Sequence, residues 1–430
     1  MKTFASLSYR NYRLWFLASI FANVGTWMQR VAQDWVVLTE LTHNSSTAVG
    51  ITTALQFLPM LLFGAHAGVL ADRLDRRKLL LSTQATMCGL AVIMAILLIT
   101  GHAQLWHLYA LAFLNGIVTA VDLPARQVFI STLVPSGMLA NAIGLNSTSF
   151  NLARLVGPAV AGVAVAVVGP GWVFLLNAAS FVFPVIAMLI IKEKHGTQKR
   201  AENKKGMVRE GLRYIKNRTD IIVIMVVASV VSMLGLNFAV TIAAMARVEF
   251  GRDASAYGFL SSMMAIGTLA GSLLAARRTN PRVRTVIGAT IMFSIFEGAC
   301  ALAPGYWSFA LILVPTGVFV LTILTGANAA LQMYTEPSKR GRVLAIYQML
   351  NLGATPIGAP LIGWVAETVS PRWSLGVGAI GSLLVALIAG AWALRRWNVQ
   401  VQFSVERPFF DTVGPRELAE ERRHETEPKK

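Results

Sequence analysis

Six ionisable side chains stand where the surrounding sequence is apolar: Arg30, Asp34, Arg154 and Glu297 within long hydrophobic runs, and Asp122 and Arg126 at the edge of one. A charge at the centre of a bilayer costs about 2.5 to 3.5 kcal/mol on insertion scales, so each is a candidate for coupling or substrate binding. Arg30 and Asp34 are four positions apart, hence on one helix face, where the pair can neutralise itself. A carboxylate in that setting can also take up a proton when it loses water and release it when a cation returns. The competing reading of Asp34 is a fixed pair near the outer interface, because it lies about 20 residues, or about 30 Å of rise, along its run. Arg154 can bind an anionic substrate, pair with Asp34, or serve as a structural lock. Glu297 is expected to be the buried partner of a neighbouring Ser or Thr.

A second set is neutral: Asn23, Trp27, Asn115, Asn237, Asn328 and Gln332, with Thr119, Ser232, Thr241, Thr322, Phe57 and Phe238 interspersed. Amide and aromatic groups together suit an amphipathic organic molecule better than a sugar or an inorganic ion. Taken singly, each is more often a packing residue or an interhelical hydrogen-bond partner. His43, His66, His102, His107, His195 and His424 are scattered without metal-ligand spacing, no Ser, His and Asp arrangement points to hydrolysis, and no GxxxxGKS loop cradles a phosphate. The sequence therefore predicts neither an enzyme nor a cofactor.

The elements that must position these residues are hydrophobic runs of about 20 residues, long enough to cross a ~30 Å hydrocarbon core as helices. Twelve such runs fill a chain that is 55% hydrophobic and only 14% charged, with a mean hydropathy of +0.58. The prediction is an all-α membrane protein. One long interior gap divides it into a six-helix bundle over 1–191, a linker over 192–220, a second six-helix bundle over 221–396 and a tail over 397–430 that is expected to be disordered. The net charge of +17 does not indicate nucleic acid, because 33 of the 38 Lys and Arg residues fall in alternate gaps and only Arg247, Arg252 and Arg372 in the opposite ones. That asymmetry puts both termini and the linker in the cytoplasm. The first run carries Gln29, Arg30, Gln33 and Asp34 and lacks a small-residue cleavage site, so it reads as a retained helix. Cys88 and Cys300 fall within runs and are assigned to packing.

The two halves resemble each other. Leu155 to Gly162 (LVGPAVAG) matches Pro356 to Gly363 (PIGAPLIG), and Trp172 matches Trp373 at the same offset. With six spans in each half the repeat is parallel, about an axis along the membrane normal, and the two bundles can rock about a central site.

Between the second and third runs stands Gly68-Val69-Leu70-Ala71-Asp72-Arg73-Leu74-Asp75-Arg76-Arg77-Lys78. This resembles the signature loop GxLaDRxGRR of the major facilitator superfamily, with Asp75 where the family usually has Gly. Gly144, Gly157, Pro158 and Gly162 in the fifth run resemble the glycine-rich motif of that family's exporters; physically, Gly allows close helix approach, and Pro158 leaves a carbonyl that needs another partner. A closer resemblance is to the branch that contains the enterobactin exporter, macrolide efflux pumps and the lysophospholipid transporter. It rests on Trp27 to Trp35 (WMQRVAQDW), Asp122 to Gln127 (DLPARQ) and Phe174 to Ala178 (FLLNA).

The resemblance implies the major facilitator fold, with the first, fourth, seventh and tenth spans lining a central cavity. It also implies a latch on the cytoplasmic side in which Asp72 and Arg76 hold the outward-open state, with Arg73, Asp75 and Arg77 beside them. The fourth span, Ala110 to Val121, departs from many drug and proton antiporters in lacking an intramembrane Arg. The function expected is export of a small amphipathic organic molecule, siderophore or drug-like, by alternating access in a bacterial inner membrane. The chain would act as a monomer driven by an ion gradient, with H+ as the coupling ion. The alternatives are a lysophospholipid transporter and, from another class, a membrane scaffold or sensor that does not transport; intramembrane charges and a retained latch argue against the last.

Overall fold

The computed structural model describes residues 4–191, 207–216, 218–276, 283–337, 339–397, 400–403 and 410–413. In the first half α1 (Arg10–Val36), α2 (Ser46–Arg73), α3 (Arg76–Ile99), α4 (Leu105–Leu133) and α5 (Leu139–Val168) follow one another. The sixth passage is α6 (Pro170–Ser180) and α7 (Val182–Ile190). After α8 (Met207–Lys216), the second half runs through α9 (Thr219–Leu234) with α10 (Phe238–Ala244), α11 (Ala254–Ala276), α12 (Val283–Ala301), α13 (Tyr306–Tyr334), α14 (Arg340–Thr368) and α15 (Pro371–Trp397). Among the described residues eleven helical segments are long and apolar enough to cross a membrane. The remaining long helix, α1, has 27 residues, enough for about 40 Å, and its lower hydropathy comes from Asn23, Gln29, Arg30, Gln33 and Asp34. Apart from the tail, the described residues form an all-α, multi-pass membrane protein whose helices fall into two halves of like order.

Local chemistry sets the ends and breaks of these helices. Asp75 is the N-cap of α3, its Oδ1 accepting from the backbone N–H of Arg77 at 3.0 Å and of Lys78 at 3.1 Å. Gly169 takes a φ of +86°, which ends α5, and Pro170 opens α6 directly after it. Phe181 separates α6 from α7 because Pro184 supplies no N–H for the Ser180 carbonyl. The break between α9 and α10 at Gly235-Leu236-Asn237 has no proline; there the Phe293 ring and the Ser382 hydroxyl press so closely on Gly235 that no larger residue fits.

Two departures from the sequence reading concern the connecting segments. The linker contains α8, which packs on α14 with Gly211 against Ile346, Ile215 buried, and Glu210 Oε1 at 2.8 Å from Arg342 Nη1. Arg218, next along, forks onto Asp220 at 2.6 Å and donates to the Tyr334 carbonyl at 2.7 Å. That hydrogen bond to Asp220 raises its pKa above the usual guanidinium value. In the tail, where disorder is expected, β1 (Gln400–Phe403) pairs antiparallel with β2 (Phe410–Val413); the rest of 398–430 lies outside the described residues.

The halves meet along two helix pairs, α2 with α14 and α5 with α11. The repeat explains both. Gly162, near the end of α5, packs on Ala254, Ser255 and Gly258 at the start of α11, and its counterpart Gly363, near the end of α14, packs on Ser46 and Thr47 at the start of α2. Neither pair of backbones could come so close if a Cβ stood in place of the glycine hydrogen.

Candidate functional site

A cavity of about 1000 Å³ lies between the halves. The N-terminal segment, the α2–α3 turn and α8 mark one end of the bundle, here termed the linker side. The cavity opens there, where its wall includes the exposed residues Gln127, Ser147 and Gln348. Toward the far side it is closed. Glu367 Oε2 accepts from Ser45 Oγ at 2.7 Å and from Thr47 N at 2.9 Å, Arg247 Nε donates to Asn44 Oδ1 at 3.4 Å, and the Gly162 and Gly363 crossings lie at the same level. Ser262 of α11 donates to the Leu155 carbonyl at 2.9 Å, a hydrogen bond from the second half onto α5 beside the Arg154 carbonyl that Pro158 leaves without its helical donor. Gly157, on another face of α5, packs on Val24, Trp27 and Met28 of α1.

The cavity wall includes Asn23, Trp27, Arg30, Asn115, Asp122, Arg126, Arg154 and Asn328. Asn237 and Gln332 are not part of it: the Asn237 amide donates to the Met233 carbonyl at 2.8 Å at the break after α9, and Gln332 is exposed, donating to Asn328 Oδ1 at 2.6 Å. Glu297 lies apart as well, buried between α12 and α15 beside Gly378, with no hydrogen-bond partner for its Oε2 among the described residues. The expected Ser or Thr partner is therefore missing for that oxygen.

The charged groups sort into three situations. Asp122 and Arg126 form an i,i+4 ion pair, with Oδ2 accepting from Nη2 at 2.8 Å and from Nε at 3.1 Å. Asp122 Oδ1 also accepts from Thr83 Oγ1 at 2.7 Å and Gln84 Nε2 at 2.8 Å, so α3 and α4 are tied by a fully used carboxylate. Thr83 and Gln84 are absent from the sequence reading, since nothing along the chain marks which polar residue of α3 will face Asp122.

Asp34 is in the second situation. Although Arg30 is one turn away, no N–O distance of 4.0 Å or less joins them. The carboxylate is buried and its Oδ2 accepts from the Tyr257 hydroxyl of α11, in the other half, at 2.9 Å. The same hydroxyl is 3.4 Å from the Ala239 carbonyl; having one hydrogen, it serves the shorter contact to the charged acceptor. The Tyr257 ring also stacks on Trp35 with centroids 6.2 Å apart. Tyr257 is a further residue that the sequence reading misses.

Third, Arg30 and Arg154 have no hydrogen-bonded or ion-pair partner among the described residues. The Arg30 guanidinium lies over Trp27, 4.9 Å from its ring centroid, and over Phe57 at 5.8 Å, while Arg154 lies 5.5 Å from the same Trp27 ring. Arg30 Nε is buried and unsatisfied. Nearby, Asn177 of the FLLNA segment donates to Gln29 of the WMQR segment at 2.5 Å, so two stretches distant in sequence meet beside the cavity.

The turn that resembles the superfamily's signature loop lies on the linker side. Asp72 and Arg73 end α2, and their side chains lie outside the described set. Asp75 is used as the helix cap described above. Arg76 opens α3, and Arg77 Nη2 donates to the Leu189 carbonyl of α7 at 3.0 Å, a contact within the first half.

Comparison with known proteins agrees with this architecture. A family profile described as transmembrane secretion effector matches residues 1–422. The staphyloferrin A transporter of Staphylococcus aureus is 23% identical over 383 residues, which cover 87% of this chain and 94% of the relative. Macrolide efflux protein A of Streptococcus pyogenes is 22% identical over 86% and 94%, and the enterobactin exporter of Shigella flexneri 23% over 88% and 90%. Among solved structures, a bacterial homologue of the human lysosomal transporter Spinster, in an inward-facing and unoccupied conformation, superposes with a TM-score of 0.69 at 16% identity over 89% of this chain and 96% of that one. The nucleoside transporter NupG gives 0.71 at 13% identity over 89% and 99%. With two helical halves about a cavity and a family match along nearly the whole length, the chain belongs to the transmembrane secretion effector family of the major facilitator superfamily, membrane transporters of small molecules.

Proposed function

We propose that the protein is an exporter in a bacterial inner membrane, with both termini cytoplasmic, that moves a small amphipathic organic molecule outward by alternating access and uses a proton gradient. The observation that carries this reading is the asymmetry of the cavity: about 1000 Å³ of polar and aromatic surface, open on the linker side and sealed on the far side by contacts between the halves. Because 33 of 38 basic residues flank the linker side, that side is read as cytoplasmic. Rocking the halves would break the far-side crossings and bring the linker-side ends together around the α2–α3 turn, where Asp72 and Arg76 would act as the latch. Asp34 is the residue to carry the proton, since its carboxylate is buried against the other half and would meet water when that contact opens.

Two reporters test the cycle. In a chain with Cys88 and Cys300 replaced by alanine, Ser147→Cys on the linker side should react readily with a membrane-impermeant maleimide and Ala254→Cys in the far-side seal slowly. Imposing a proton gradient or adding transported substrate should shift the two rates in opposite directions. Rates that never move against each other, in protein that is folded and inserted, would remove alternating access.

A further inference from the structure

We propose that Arg30 and Arg154 form an anion site in the cavity, and that the transported molecule carries a carboxylate held by these two guanidinium groups while its apolar part lies against Trp27. This rests on the reading of the cavity as the transport site.

The two arginines are unlike the other charged groups around the cavity. Arg126 is neutralised by a bidentate contact to Asp122. Asp122 is also the sole acidic side chain in the cavity wall among the described residues, and four hydrogen bonds already engage it. Asp34, the carboxylate nearest Arg30 along the chain, is committed to Tyr257 and is not part of the wall. The wall thus presents two cations that form no ion pair among the described residues, although the Asp34 charge acts on Arg30 through space.

Their placement matters as much as their charge. Both guanidinium groups lie within 5.5 Å of the Trp27 centroid. A cation–π contact engages the charge without giving the N–H groups an oxygen acceptor, and a guanidinium can hold a carboxylate in two parallel hydrogen bonds. Arg30 Nε, buried with no partner, is such a donor waiting for an acceptor. Leaving it unmet is unfavourable, so an incoming anion gains more here than at an exposed arginine. Phe150, edge-on to Trp27 with centroids 5.7 Å apart, and Phe57 give the same region an apolar surface. A cationic molecule of equal shape would meet two like charges and no free carboxylate.

The test uses the purified full chain in detergent and three probes: 1-naphthoate and 1-naphthylmethylammonium, which are similar in size and opposite in charge, and the larger anionic lipid lysophosphatidylglycerol. Equilibrium dialysis should show 1-naphthoate binding and the ammonium probe bound at least about tenfold more weakly. Arg30→Gln and Arg154→Gln should each weaken naphthoate binding by about tenfold or more, the loss typical of a charge-assisted hydrogen bond, and Arg30→Lys and Arg154→Lys should recover part of it. Arginine-dependent binding of lysophosphatidylglycerol in preference to naphthoate would overturn the carboxylate and assign the two arginines to a lipid phosphate. Thermal melting and gel filtration of each variant separate lost binding from lost folding. The inference is overturned if naphthoate does not bind the parent chain, if the ammonium probe binds as tightly as naphthoate, or if both Gln variants, correctly folded, bind within about twofold of the parent. The Ser147→Cys and Ala254→Cys reporters read alternating access without any ligand charge, so failure of the anion site and failure of the transport reading give different results.

Discussion

Replacing Tyr257 by Phe removes one hydroxyl at the point where the two halves touch, and its consequence can be worked from the geometry. The ring, 2% exposed, keeps its stacking on Trp35 at 6.2 Å. What is lost is the 2.9 Å hydrogen bond to Asp34 Oδ2, made between α11 and α1 and therefore possible only while the far side is sealed. A hydrogen bond to a charged group contributes about 1.5 to 3 kcal/mol net, which is about 10- to 150-fold in the equilibrium between sealed and open. For a protein sealed 99:1, a tenfold shift raises the open population from about 1% to about 9%. The assay is the labelling rate of Ala254→Cys, which is 3% exposed at the seal. With the other contacts intact, that rate should rise about tenfold in Tyr257→Phe, while Ser147→Cys on the linker side, accessible in about 91% instead of about 99% of molecules, slows by less than about a tenth. Asp34→Asn keeps an oxygen acceptor of lower charge and should give a smaller rise. A labelling rate within about twofold of the parent, in protein that melts normally, would refute the assignment of the Asp34–Tyr257 contact to the seal, because the bond would then be equally available in both states.

Other variants probe different parts of the same machine. Gly258→Val puts a side chain against the Pro158 carbonyl and the Gly162 backbone, and such overpacking, about 1 to 3 kcal/mol, should hold the far side open and give fast Ala254→Cys labelling without loss of expression. Asp122→Ala leaves Arg126 without its partner and strands Thr83 and Gln84; it should destabilise by about 3 to 5 kcal/mol, whereas Arg126→Gln should cost no more than about 1.5 to 3, and thermal melting in detergent ranks the two. Glu297→Met exchanges a buried carboxyl lacking a partner on Oε2 for an apolar group of similar volume and should raise the melting temperature; uphill transport should persist, and its loss would move the coupling role from Asp34 to Glu297.

The architecture is legible in the sequence because the signals for it run along the chain. Apolar runs of about 20 residues define the spans, the alternation of Lys and Arg orders their ends, and the LVGPAVAG and PIGAPLIG match foretells that Gly162 and Gly363 occupy like positions. Partnerships across the chain carry no such signal. Arg30 and Asp34 have the spacing of a pair, yet spacing places two side chains on one face and says nothing of a third group on another helix, and Tyr257 is the one that Asp34 meets. Asp75 shows a local role that the sequence reading did not name: beside its place in the expected latch it is an N-cap, which a residue just ahead of a helical Arg-Arg-Lys could have signalled. The break at Phe181 was open to inference from Pro184. The break at Gly235 was not: no proline marks it, and the groups packed on that glycine, Phe293 and Ser382, come from α12 and α15.

The positions of Asp34 and Arg30 on α1 supply a physical link between the proposed substrate and the proposed proton. They sit one helical turn apart, with Arg30 facing the cavity and Asp34 facing the other half. With the far side sealed, Asp34 is supported by Tyr257, and Arg30 is free to hold an anion. Opening the far side removes the Tyr257 hydroxyl and leaves Arg30 as the nearest group able to stabilise the Asp34 charge. The substrate anion and the Asp34 carboxylate then compete for one guanidinium. A proton on Asp34 ends that competition in favour of retaining the anion, and loss of the proton favours its release. Binding of a proton and of substrate would then reinforce each other in the open state, which is the linkage of a symporter; efflux against the gradient requires the opposite sign. Arg154, on the same Trp27 ring, would hold the anion without sharing it with Asp34; as a fixed cation it favours the Asp34 charge whether or not the anion is bound, so it leaves the sign of the linkage unchanged. The sign of coupling is therefore read from the proton count: naphthoate binding that takes up a proton in the parent chain but not in Asp34→Asn would remove Asp34 as the coupling group of an exporter, whereas proton release on binding would support that role.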